Sequence, residues 1–237
     1  MPRGVDRPLS PTSQSSDHDQ PQQHRRPLLF RNQTVLDATE RAVYHDTNVW
    51  AAYLDGCSVV LNHADAVSPW LAALCDDLQQ HAFPHAYANT YLTPPGAQTA
   101  PPHADDRDVL VIQVVGAKQW TVYSNIPIPF PYPHEQVGKE GLAVPPHVLE
   151  GPKTLNQVTL EAGDVLYIPR GQVHQAQAAA TTQEPSFHVT IALATHDWTL
   201  AGMLSQTIVP RALLSHVPLR QAVDWRGCLL QRAFLFL

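Results

Sequence analysis

An all-β core, a barrel or sandwich of short strands with helices on its flanks, is the fold this sequence predicts, and three observations predict it. From Ala88 onward, short alternating runs rich in β-branched and aromatic residues recur, punctuated by Gly and Pro. Helical periodicity is confined to the stretches before and after that region. The length of 237 residues, 44% of them hydrophobic, suits one such domain with ragged ends, or two small domains.

Taken in order, residues 1–28 are polar and proline-rich, nearly free of large apolar side chains, and are expected to be disordered. Residues 47–52 and 68–80 read as helices. In the second, Ser68 is a natural N-cap, Pro69 fits the first helical position, and Trp70, Leu71, Leu74 and Leu78 recur at helical spacing. The run 57–62 between them reads as a strand. Further strands are expected at 88–93, 108–115, 118–123, 156–162, 164–169, 173–178 and 187–193, with turns at Pro94-Pro95-Gly96, Gly116, Gly163 and Arg170-Gly171. The proline-rich stretch 124–151 reads as a long loop, and long loops in compact domains tend to carry function. An amphipathic helix is expected beyond Asp197, through Trp198, Leu200, Met203 and Leu204. The domain division is therefore 1–28, 29–197 and 198–237.

Bulk properties exclude some functions. The formal net charge is -6, with no basic stripe, which argues against phosphate-mediated nucleic-acid binding and leaves a basic protein partner open. Cys57, Cys75 and Cys228 are odd in number and far apart, so they build neither a disulfide framework nor a paired-cysteine zinc site. The N-terminus lacks the apolar stretch of a secretory signal. No apolar run approaches the roughly 20 residues of a membrane span. A soluble intracellular protein is expected.

The chemistry lies in three pieces. His103 and Asp105 are two residues apart, a spacing that puts both side chains on one face of an extended segment. Alone, such a pair is more often a turn histidine and a solvated aspartate. The second piece is GDVLYIPRGQVH (163–174), a turn, a buried strand, a second turn and a histidine carried on the next strand. It matches the second motif of cupin barrels, and the His-x-Asp pair matches the first. Two histidines and a carboxylate on one face leave coordination positions open, the facial triad of non-haem Fe(II) oxygenases; zinc also accepts these ligands. The third piece is Lys118, which alternation places on one face with Trp120 and Val122. A lysine there needs an anion, unless its stem snorkels to the rim. The far carboxylate of 2-oxoglutarate is the candidate.

The stretches NTYLTPPGAQTAPPHADD (89–106), QVVGAKQWTVY (113–123), GDVLYIPRGQVHQA (163–176) and HVTIA (188–192) resemble the JmjC-domain ribosomal oxygenases of the cupin superfamily, described as histidyl hydroxylases and histone lysine demethylases. The resemblance spans roughly residues 45–217. It implies a double-stranded β-helix, or jelly roll, with flanking α-helices. It implies a 2-oxoglutarate-dependent dioxygenase with Fe(II) on His103, Asp105 and His174, and with 2-oxoglutarate and O2 as cosubstrates. Lys118 would pair with the far carboxylate, Asn89 and Thr190 would line the cosubstrate pocket, and Tyr91 would border the substrate channel. Gln98 receives no role, and Arg170 is left out of the site as a turn residue. The implied partner is a protein substrate, a ribosomal protein or a histone, in the nucleus or nucleolus, with the cytoplasm as the alternative and a homodimer left open as a further partner. Histidine hydroxylation leads and lysine demethylation, a chromatin-regulating activity, is the alternative; a non-catalytic metal-binding module and a zinc- or manganese-dependent cupin enzyme are alternatives of other classes. Three departures stand out. Ala104 replaces an aromatic residue between the ligands. Ala192, Leu193 and Ala194 replace a Ser-Thr-Tyr run whose serine helps hold the substrate side chain. The apolar end CLLQRAFLFL is unlike the family, so a truncated dimerisation region is expected.

Overall fold

The computed structural model describes residues 26–44, 48–139, 141–180, 183–193 and 200–215. Among the described residues, ten strands form two antiparallel sheets. The larger has the order β2-β1-β3-β4-β10-β5-β8, built from β1 (Leu28–Arg31), β2 (Thr34–Val35), β3 (Ser58–Leu61), β4 (Ala86–Thr93), β5 (Asp108–Val115), β8 (Val165–Ile168) and β10 (Ser186–Leu193). The smaller, β7-β6-β9, contains β6 (Lys118–Tyr123), β7 (Lys153–Leu160) and β9 (His174–Ala178). Strands far apart in sequence are neighbours: β10 lies between β4 and β5, and β6 lies between β7 and β9. This is the jelly-roll core expected from the sequence, with helices α1 (Ala38–Ala42), α2 (Val49–Leu54) and α3 (Pro69–His81) on its N-terminal flank.

Alternation sorts the faces of β5, whose pattern is regular, while β6 and β10 are largely buried on both faces. In β6, Lys118, Trp120 and Val122 are all buried. They face Val109 and Val111 of β5, with Leu160 and Ile168 closing the cluster between the sheets. The opposite face of the large sheet is covered by α3, whose Leu71 and Cys75 pack with Ala86, Ala88, Val189, Ile191 and Leu193. Each large aliphatic residue so buried contributes about 1.5–3 kcal/mol. Ser68 caps α3 by accepting from the Leu71 amide, with Pro69 at the first helical turn, as the sequence predicts.

Several expectations shift. The helix expected at 47–52 is α2 and starts at Val49 because Asn48 is its cap, accepting from the Ala51 amide, while α1 is not among the expected helices; Thr47 lies outside the described residues. The expected disordered segment reaches residue 28, yet Leu28 already pairs with Val60; residues 1–25 lie outside the described residues. Strand β7 starts at Lys153, three residues before the predicted 156, because Lys153 and Leu155 pair with Tyr123 and Val122. Stretch 124–151 is a loop as expected, with a 3-10 turn (Pro133–Glu135) and a short helix, α4 (Pro146–Leu149), inside it. Its apolar residues Val137, Val144, Val148 and Leu149 pack with Ala104, Tyr123 and Val173. The C-terminal region is helical over 200–215 in three pieces, α5 (Leu200–Met203), a π turn (Leu204–Ile208) and α6 (Val209–Ser215). Trp198 and Ala194 lie outside the described residues.

Candidate metal centre

His103 lies just before β5 and His174 opens β9. They form an isolated antiparallel bridge, with each amide donating to the other's carbonyl, at 3.0 and 2.9 Å. That pairing sets the two imidazoles side by side, ring centroids 4.5 Å apart. Each Nδ1 meets the carbonyl two residues upstream, Pro101 at 2.7 Å and Gln172 at 3.0 Å. A carbonyl only accepts, so Nδ1 carries the proton and Nε2 keeps its lone pair. This is how metal-binding histidines are commonly oriented. Asp105 Oδ2 lies 3.6 Å from His174 Nε2. One ligand atom from each of the three residues falls within 4.8 Å of the other two.

The electrostatics suit a cation. Burial lowers the pKa of both imidazoles, and the Lys139 ammonium lowers them further. Both are neutral, as ligands must be. Burial would raise the Asp105 carboxyl, but the Lys139 ammonium, its hydrogen bond and the two neighbouring imidazoles together outweigh that and hold it well below the usual carboxylate range. The site therefore presents two neutral nitrogen donors and one carboxylate, the donor set of a facial triad.

The triad stands at one side of a cavity of about 70 Å³ that opens to solvent. Strands from both sheets wall it: Tyr91, Val109, Val111, His188 and Thr190 from the large sheet, Lys118, Trp120 and Ala176 from the small one. Lys118 is 2% exposed, and its Nζ donates to Thr93 Oγ1 at 3.0 Å. Among the described residues no carboxylate lies within salt-bridge reach of it. Burial pushes its pKa down to about 7. His188, 3% exposed, stacks on Tyr91 with centroids 4.6 Å apart and meets Trp120 edge-on. Its Nδ1 and Trp120 Nε1 are buried without a hydrogen-bond partner. Buried donors and acceptors left open in a cavity are costly unless a ligand satisfies them.

The structure thus brings together His103, Asp105, His174, Lys118, Thr190 and Tyr91 on one cavity. Asn89 does not line it; its side-chain oxygen accepts from the His63 amide at 3.0 Å. Gln98 ties the loop before the triad to β9, donating to Ala100 O and Gln175 Oε1. Arg170 is an anchor for the long loop, donating to Pro131 O and Phe130 O. Ala104 is 1% exposed and packs under the loop, away from the cavity lining. Ala192 shares the strand face of His188 and Thr190, and Leu193 is in the core under α3. Two titratable cavity residues escaped the sequence reading. His188 is two residues from Thr190, and strand alternation alone could have found it. Lys139 has no local signal.

An antiparallel jelly roll with two histidines and an aspartate facing an internal cavity defines a metal-binding cupin-type barrel. Residues 59–199, more than half of the chain, match the JmjC domain family, and the chain belongs to it. It is 33% identical over 187 residues to a Drosophila mojavensis protein named bifunctional lysine-specific demethylase and histidyl-hydroxylase NO66, covering 74% of this chain and 19% of that protein. It is 34% identical over 179 residues to ribosomal oxygenase 1 of Gallus gallus, covering 75% and 28% respectively. The chain thus spans about a fifth to a quarter of the length of these relatives. Among solved structures, Escherichia coli YcfD, a ribosomal oxygenase crystallised with cobalt and 2-oxoglutarate, shares the fold at a TM-score of 0.52 and 18% identity, over 84% of this chain and 46% of that one.

Proposed function

We propose that the protein is an Fe(II)- and 2-oxoglutarate-dependent dioxygenase that hydroxylates a protein side chain, with histidine of a ribosomal protein as the leading substrate. The observation that carries this reading is Lys118, a buried cation without a described carboxylate partner, in the same cavity as His103, Asp105 and His174. A dicarboxylate offering one end to a metal and the other to Lys118 accounts for both features. The Drosophila and Gallus relatives, by their names, support the same class.

Bound iron, with 2-oxoglutarate and O2, would supply an oxidant able to hydroxylate an unactivated carbon, with succinate and carbon dioxide as co-products. The chain's own residues do the rest. Nε2 of His103 and of His174 and Oδ2 of Asp105 would hold the metal. Lys118 orients the cosubstrate's far carboxylate, and Thr93 keeps the ammonium aimed while the position is open to it. Val109, Val111, Trp120 and Ala176 exclude water around the chain of the cosubstrate. Tyr91, stacked on His188, walls the channel. Thr190 adds a hydroxyl to the lining.

The net charge of -6 favours a basic partner, such as a ribosomal protein or a histone tail; a nuclear or nucleolar setting is proposed from the family resemblance alone. Lysine demethylation is the second reading. The NO66 relatives carry both activities in their name, and demethylation begins with the same hydroxylation on an N-methyl carbon. Ala192 offers no polar group on the inner strand face beside Thr190, which weakens the case for gripping an imidazole. The test is mass spectrometry of ribosomal-protein and methylated histone peptides after incubation with protein, Fe(II) and 2-oxoglutarate. A gain of one oxygen on histidine supports the leading reading and loss of a methyl group from lysine the second. Oxidation of a small metabolite with both peptide classes untouched would overturn a protein substrate.

A further inference from the structure

The long loop between β6 and β7 touches the triad at one point. The Val137 carbonyl accepts the Ala104 amide at 2.9 Å, between the two ligands of the His-x-Asp pair. Gly138 follows at φ +77°, so close that a Cβ there would stand 2.2 Å from Pro102 O and 2.7 Å from His103 Cα. The turn is closed by the Gly138 amide on Leu142 O and the Leu142 amide on Lys139 O. Docked in this way, the loop delivers Lys139 to Asp105, where Nζ donates to Oδ1. The other carboxylate oxygen, Oδ2, is the one facing His174 Nε2. The two oxygens of Asp105 therefore have different neighbours: the Lys139 ammonium on Oδ1, the His174 imidazole on Oδ2.

We propose that Lys139 is a positioning residue that makes Asp105 a one-oxygen ligand. The proposal rests on the assignment of His103, Asp105 and His174 as metal ligands. A carboxylate can bind a cation through one oxygen or both. A bidentate Asp105 would consume one of the positions that the triad must leave open for 2-oxoglutarate and O2. A charge-assisted hydrogen bond to Oδ1 fixes the rotation of the carboxylate and occupies that oxygen. The ammonium also repels a nearby dication, so Lys139 weakens metal binding while keeping positions free. Its effect on metal and cosubstrate therefore has opposite signs, which mere packing does not produce.

The experiment titrates Co(II) into the full chain, then 2-oxoglutarate into the Co(II) protein, for wild type, Lys139→Met and Lys139→Arg. Calorimetry gives both dissociation constants, visible absorption reports the coordination of cobalt, and circular dichroism confirms the fold. Lys139→Met is expected to bind Co(II) several-fold more tightly, with an altered spectrum, and to bind 2-oxoglutarate several-fold more weakly. Lys139→Arg is expected to stay near wild type. If Lys139→Met does not fold, Lys139→Gln, which keeps a donor and loses the charge, is expected to show tighter Co(II) binding with a spectrum close to wild type. A Met variant, or failing that a Gln variant, with unchanged constants and spectrum overturns the proposal. His174→Ala separates the two levels: if it binds Co(II) as wild type does, the triad itself is wrong and the role of Lys139 falls with it.

Discussion

Replacing Lys118 with methionine is expected to strengthen the fold and cripple the site at once. The ammonium is buried, and its folded-state pKa is lowered from 10.5 to about 7 by desolvation. Because the folded form binds this proton more weakly than the unfolded form, stability rises with pH between about 7 and 10.5. Below about 7 the lysine is charged in both states and the full burial penalty is present. At about 1.4 kcal/mol per pH unit, the shift corresponds to a penalty with a ceiling of roughly 5 kcal/mol. Methionine fills a similar length with no charge, and Thr93 keeps Thr99 as a hydroxyl partner at 3.1 Å. Ligand-free Lys118→Met at pH 6 should therefore melt higher by roughly 5–10 °C, since about 1 kcal/mol moves a domain of this size by about 2–4 °C. The gain should shrink by pH 9. In the metal-loaded protein the same change removes a charge-assisted hydrogen bond worth about 1.5–3 kcal/mol, a loss of roughly 10- to 150-fold in 2-oxoglutarate affinity. The wild-type affinity should also weaken as pH rises above about 7. Melting curves at the two pH values and calorimetric titration of 2-oxoglutarate measure all of this. A variant that is less stable at pH 6 and binds 2-oxoglutarate as wild type does would refute the reasoning.

Two further outcomes follow from the loop. Gly138→Ala should destabilise the fold by about 2 kcal/mol or more, because φ is positive there and the added methyl meets Pro102 O and His103 Cα; a thermal melt within 2 °C of wild type would contradict this. Arg170→Met removes the donors to Phe130 O and Pro131 O, so limited proteolysis should cut within 124–135 several-fold faster, whereas an unchanged rate would mean the loop is held elsewhere.

Much of the fold was legible because alternation is a local signal. Strands β5 and β6 begin and end where their patterns do, and the inward set of Lys118, Trp120 and Val122 follows from parity alone. The Ser68-Pro69 start of α3 follows from capping chemistry. What escaped depends on distant partners. The β1–β2 hairpin is too short to announce itself and is fixed by pairing with β3. The family resemblance put Asn89 in the cosubstrate pocket, but the His63 amide takes its side-chain oxygen and the residue does not line the cavity. Lys139 shows the limit most clearly: it meets Asp105 across 34 residues, through a loop whose backbone is set by Gly138 against His103.

The account rests on His103, Asp105 and His174 holding iron beside a 2-oxoglutarate site. Conversion of 2-oxoglutarate to succinate, followed by NMR in metal-stripped buffer with and without added Fe(II), tests it most directly in wild type and in His174→Ala. The account predicts succinate from wild type only when Fe(II) is present, and none above background from a folded His174→Ala. Equal turnover by both proteins, or turnover indifferent to iron, would contradict it.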